Sequence, residues 1–143
     1  MIRLVVFETY PLYPIGIQEV FKESSFIRVA GDTSDPAALF RMLAVTPAEV
    51  VMLGVNPKDK HLCVDIARHI RHNYPLLNIL AFADEETEQT VRLMMEAGIH
   101  GFIGKRADRN ELENAIRQVA AGVKYIGKID NNTNIFAQKS LYE

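Results

Sequence analysis

The sequence is short of everything that staples a small fold or carries it across a bilayer. Its one cysteine, Cys63, has no partner for an internal disulfide, which fits a reducing compartment and a cytoplasmic location. On a helix beside Leu62 and Ile66 it reads as a packing residue rather than a nucleophile. Apolar runs stop at about five residues, far below the roughly 20 needed to span a membrane. The first residues, Met1 to Phe7, lack the long apolar stretch and small-residue cleavage site of a signal peptide. Charge of one sign is also missing: the net charge is -2, whereas phosphate-backbone binding needs a clustered basic face. The one local basic group, Arg68, His69, Arg71 and His72, reads as a solvated helix face. Neither Gly-x-Gly-x-x-Gly nor a P-loop occurs, and no Ser, His and Asp stand at strand ends as a triad. The histidines, His61, His69, His72 and His100, suggest a metal site only through His69 and His72 at i,i+3 on a polar face, and all four read as solvent-facing.

What is present is an alternation of strands and helices. A chain of 143 residues, 48% hydrophobic and 24% charged, is one ordinary domain able to bury a single core. Arg3 to Phe7 predicts a first strand, and Pro11 and Pro14 open a helix to about Glu23 with Ile15, Ile17, Val20 and Phe21 inward. Phe26 to Ala30 predicts strand two. Asp35 or Ser34 caps a second helix with Pro36 in its first turn. Val50 to Leu53, closed by Gly54-Val55-Asn56-Pro57, predicts a strand buried on both faces. His61 to Asn73 is an amphipathic helix with Leu62, Ile66 and Ile70 inward, stopped by Tyr74-Pro75. Asn78 to Ala83 predicts strand four. A fourth helix carries Val91, Leu93, Met94 and Met95, the methionines as core filling, and ends at Gly98. Gly101 to Gly104 predicts strand five, and Asp108 caps a last helix that ends at Gly122.

Five strand-helix units in a row require parallel strands and right-handed crossovers. The fold class is α/β, a flavodoxin-like (βα)5 with a five-stranded parallel sheet in the order 2-1-3-4-5. The domain covers residues 1–126, and residues 127–143 are a tail or linker. In such a sheet, chemistry lies past the carboxyl end of the central strand. Position 54 there is a glycine.

Several stretches recur in a telling order: Ile2-Arg3-Leu4-Val5-Val6 with Tyr10-Pro11-Leu12; Asn73-Tyr74-Pro75; Ala97-Gly98-Ile99-His100-Gly101-Phe102-Ile103-Gly104-Lys105; and Glu111-Leu112, Ala115-Ile116 and Val119-Ala120-Ala121-Gly122. Over about residues 2 to 126 the chain resembles a receiver domain of the two-component response regulators, of the NarL/FixJ transcription-factor branch. The resemblance implies phosphoryl transfer from a histidine kinase to an aspartate after strand three. It also implies Mg²⁺ on that aspartate and an acidic pair after strand one, a Thr or Ser after strand four, and a Lys after strand five. Here Glu8 and Thr9 stand at the acidic pair and leave one carboxylate. Gly54, or Val55 under a different gap, stands at the acceptor, and Ala83 at the hydroxyl. Lys105 is kept, with Phe102 at the place of a switching aromatic. Asp59 and Asp84 are the nearest other acids, and neither aligns with the acceptor.

The resemblance therefore implies a pseudo-receiver: not an enzyme, without catalytic residues, metal or cofactor. It is expected to act as a phosphorylation-independent protein interaction module in transcription regulation. Its expected partner is another protein or a second copy, with DNA reached only through a second domain outside this chain, and no membrane. The face of the fourth helix, strand five and fifth helix is the favoured dimer surface, ahead of the first and fifth helices. The alternative is a small-molecule sensor whose ligand occupies the cleft floored by Gly54 and Ala83.

Overall fold

The computed structural model describes residues 1–128. Its elements run β1 (Ile2–Phe7), α1 (Leu12–Phe21), β2 (Ile27–Thr33), α2 (Pro36–Val45), β3 (Val50–Val55), a 3₁₀ turn (Pro57–Asp59), α3 (Lys60–Asn73), β4 (Asn78–Ala83), α4 (Glu88–Glu96), β5 (Gly101–Gly104), α5 (Arg109–Ala120) and β6 (Tyr125–Ile126). The sheet is wholly parallel in the order 2-1-3-4-5-6. The order of the first five strands is the one expected, and a sixth is added. β6 is only two residues long, too short for periodicity to announce it. Two backbone bonds hold it to the edge of β5, from Tyr125 N to His100 O (3.2 Å) and from Gly127 N to Phe102 O (2.7 Å). β5 is therefore an interior strand, bordered by β4 and β6. The tail expected from Gly127 onward lies, from residue 129, outside the described residues.

Alternation along the strands sorts the core into two halves. Val5, Phe7, Val51, Leu53, Ile79 and Ala81 pack under α2, α3 and α4. Leu4, Val6, Val50, Met52, Leu80 and Phe82 pack under α1 and α5. β3 is buried at all six positions, as a continuous apolar run between two helical layers must be.

The caps expected at Asp35 and Asp108 form: their side chains accept from the N–H groups of Ala38 and Glu111, and Gly98 and Gly122 take φ of 102° and 82°, the left-handed helix ends that glycine adopts without strain. Thr87 caps α4 in the same way, accepting from Thr90 N–H.

The departures have physical reasons. β2 continues past Ala30 to Thr33; Gly31-Asp32-Thr33 looked like a turn but stays in register with Val5, Val6 and Phe7 after a bulge at Leu4/Val5. On α1, Ile15 is 62% exposed, as is Leu12 at 79%. The inward row is Pro14, Ile17 and Phe21, and Ile15 lies two residues, over half a turn, from Ile17. Leu62 is likewise exposed, the inward row of α3 being Cys63, Ile66, Ala67 and Ile70.

Candidate functional site

The carboxyl ends of β1, β3 and β5 meet at one point. Alternation carries the α1/α5 side of the sheet from Val6 to Glu8, from Met52 to Gly54 and from Ile103 to Lys105. Three of the six sequence-predicted residues therefore converge. Glu8 is 1% exposed. Its Oε1 lies 2.6 Å from Lys105 Nζ, and both side chains are almost fully buried; among the described residues that ammonium is the partner of Oε1, which takes no other hydrogen bond. Oε2 accepts from Asn56 Nδ2 at 2.9 Å and from the Tyr10 backbone N–H at 3.0 Å.

Gly54 explains how a carboxylate fits there. A Cβ built on Gly54 would stand 2.5 Å from Glu8 Oε1 and 2.8 Å from its Cδ. The Glu8 carboxylate occupies the volume in which a side chain at position 54 would begin.

Asn56 was read from the sequence as turn chemistry, yet it joins the parts. It is 1% exposed. Its Nδ2 also donates to Thr9 Oγ1 at 2.8 Å, and its Oδ1 accepts from the Lys105 ammonium. An Asn directly after a fully apolar strand and before Pro57 was the available signal. Lys105 is further walled by rings, with Nζ 4.4 Å from the centroid of Tyr13, 4.7 Å from Tyr10 and 5.4 Å from Phe82, within cation–π range. Asp84 Oδ1 stands 3.8 Å from Nζ. Burial first, then the carboxylates of Asp84 and Glu8, push the Tyr13 phenol up.

Of the other three predicted residues, Thr9 is tied to the site through Asn56 and the remaining two sit apart from it. Thr9 turns toward Asp59, to which its hydroxyl donates at 3.3 Å. Ala83 and Phe102 are buried in the α2–α4 half of the core, and Ala83 meets the site through its carbonyl, which accepts from Lys105 N at 2.9 Å. His100, expected in solvent, is half-buried and hydrogen-bonded inward.

A hard dication requires several oxygen ligands. The one carboxylate at the centre of this site is held by an ammonium and two N–H donors, and the described residues contain no cluster of three or more His, Cys, Asp or Glu able to hold a metal. The donor set does not fit the Mg²⁺ that the resemblance implies. The space above Gly54 is filled by protein. The cavity beside Lys105, between Tyr13, Ile17, Phe82 and Leu112, has about 60 Å³; one of about 280 Å³ lies on the other side of Glu8 and Thr9, against Pro11, Gln18 and Asp32; and one of about 380 Å³ lies at the opposite end of the sheet against Leu43, Pro47, Tyr74 and Leu76.

Cys63 lies under the same strand end, its thiol donating to Gly54 O at 3.3 Å. Burial, then the nearby Asp59 and Glu8, push it up to about 12. The folded protein should resist iodoacetamide at pH 8.5, where an ordinary thiol is half ionised, and should alkylate once denatured. Rapid labelling of the native chain, read by intact mass, would show that the thiol is reachable.

No protein-family model matches the chain. Among curated proteins it is similar to the transcriptional regulatory protein DegU of Brevibacillus brevis, 23% identical over 126 residues that cover 87% of this chain and 52% of DegU. It is also similar to the response regulator GacA of Pseudomonas protegens, 28% identical over 127 residues, 88% of this chain and 59% of GacA. It thus spans a little over half the length of these relatives. Among solved structures, the isolated REC domain of RcsB from Salmonella enterica serovar Typhimurium in the apo form superposes with a TM-score of 0.80 at 16% identity, covering 96% of this chain and 99% of that one. A LuxR family DNA-binding response regulator from Silicibacter pomeroyi gives 0.75 at 19%, covering 90% and 98%. Among the described residues no helix is long and apolar enough to cross a membrane. The chain has the receiver fold of the response regulators and is similar in sequence to transcription regulators of that group.

Proposed function

We propose that this chain is a phosphorylation-independent receiver: a non-catalytic interaction module of a transcription regulator, whose phosphorylation site has been replaced by a buried ion pair. The observation that carries the reading is the Glu8 carboxylate lying where a side chain at position 54 would begin while pairing with Lys105. A receiver works by letting a negative group come and go beside its lysine. Here the negative group is a side chain of the protein itself, so the lysine keeps an anionic partner without phosphorylation and the surface above it one state.

The relatives supply the rest of the reading. The RcsB structures include two RcsB dimers bound to two parallel DNAs, and a second copy or another protein is the corresponding partner of this chain. DNA contact is assigned to a second domain, in keeping with the 52% and 59% of DegU and GacA that the chain matches.

Incubation with acetyl phosphate or beryllofluoride and Mg²⁺ tests this. Intact mass should show no phosphoryl adduct, and sedimentation equilibrium should give the same association constant with and without the reagents. A stoichiometric adduct mapped to Asp59 or Asp84 would overturn the reading.

A further inference from the structure

The imidazole of His100 takes the place of a strand. At the start of the β4–β5 pairing, His100 N donates to Ile79 O at 2.9 Å, and the Ile79 N–H returns a bond not to a carbonyl but to His100 Nδ1, at 2.9 Å. The His100 carbonyl in turn accepts from Tyr125 N at 3.2 Å, the first bond of β6. One residue thus closes β4 on one side and β6 on the other.

The ring can do this in one protonation state only. The Ile79 amide can only donate, so Nδ1 must present its lone pair, and the neutral ring carries its proton on Nε2. Nε2 lies 3.2 Å from Arg71 Nη1, donor against donor. The guanidinium is kept there from the α3 end, its side chain lying against Gly98, where a Cβ would be 2.7 Å from Arg71 Cγ. The charged groups that act on the ring are Arg71 from α3 and Lys124 from the α5–β6 connection, and both are cations. A proton arriving on Nδ1 removes the acceptor of a backbone N–H in the sheet and places a third positive charge beside two others.

We propose that His100 is a proton-operated latch, closed when the imidazole is neutral and released when it is protonated, that holds β6 and the chain leaving residue 126 against the sheet. The proposal is independent of the phosphorylation reading, since it involves the opposite end of β5. Burial, then Arg71 and Lys124, hold the His100 ring below its ordinary 6.5. The closed state therefore binds the proton more weakly than the open one. Its full stability is present above pH 6.5 and is lost as the pH falls from there through the closed-state midpoint.

The test is residue-resolved NMR on the full chain. Long-range ¹⁵N correlations of the His100 ring should show the Nε2–H tautomer, with a midpoint below 6.5. Amide protection at Ile79 and Tyr125, corrected for intrinsic exchange, should fall by up to about tenfold per pH unit below that value. In His100→Asn, whose Oδ1 accepts without titrating, protection at Ile79 and Tyr125 should be nearly independent of pH over the same range. Ring titration at or above 6.5, an Nδ1–H tautomer, or equal loss of protection in both proteins would overturn the latch. If the variant does not fold, the wild-type ring titration decides alone.

Discussion

An aspartate placed at position 54 will weaken this protein and will not make it phosphorylatable. In Gly54→Asp the new Cβ meets Glu8 Oε1 at 2.5 Å, and a second carboxylate enters a site whose single ammonium is already paired. Glu8 cannot simply swing away, because Asn56, the Tyr10 amide and Lys105 all hold it. Steric conflict and an unpaired buried charge together cost about 3–5 kcal/mol, a fall in melting temperature of roughly 10 °C for a domain of this size. Gly54→Ala, with the contact but not the charge, should cost less. Removing the obstacle should reverse the loss: Glu8→Ser combined with Gly54→Asp returns an aspartate to the lysine and should recover most of the stability. Thermal melts of the three variants check this, and a Gly54→Asp protein as stable as the parent would show that Glu8 is not fixed above Gly54.

The second large effect belongs to Lys105. Replacing it by Met keeps much of the hydrocarbon against Tyr13 and Phe82 but leaves the Glu8 carboxylate buried with two neutral donors. Breaking a buried pair from one side costs about 3–5 kcal/mol. Glu8→Gln leaves the ammonium without its partner and should cost a similar amount, softened by the three rings and by Asp84 3.8 Å away. The double variant removes both charges, so it should be more stable than the sum of the singles by at least about 2 kcal/mol. Urea unfolding of the four proteins gives the coupling directly. Strict additivity would mean that the two groups do not act as a pair.

Both predictions turn on Glu8, Gly54 and Lys105, which lie 46 or more residues apart along the chain, and legibility in the sequence follows that distance. What depends on neighbours in the chain was readable. Runs such as Val50-Val51-Met52-Leu53 announce a strand covered on both faces, Asp35 before Pro36 and Asp108 before Arg109 announce helix starts, and Gly98 and Gly122 announce helix ends. Strand-helix alternation then leaves little freedom in topology, so the order of the first five strands was readable too. The positions of Glu8, Gly54 and Lys105 at strand ends follow from the same reasoning.

Tertiary structure alone decided what those residues are to one another. A glycine after strand three reads as an empty place, because a sequence records a missing side chain and not what fills the space it leaves; only the packing of β1 against β3 brings the Glu8 carboxylate over Gly54. Asn56 looked like part of a turn because its partners, Glu8 and Lys105, arrive from other strands. Ala83 and Phe102 were placed with the site by the resemblance, as the positions of a hydroxyl residue and a switching aromatic, but strand pleating turns them to the α2–α4 core. β6 and the role of the His100 ring escaped notice for a related reason: two residues have no period, and an imidazole accepting from a backbone N–H is fixed by contacts from Ile79 and Arg71 that lie 21 and 29 residues away. Local propensity acts over a few residues and is written in order along the chain, whereas a buried polar network is set by which side chains the sheet brings together, and that is decided when the layers close.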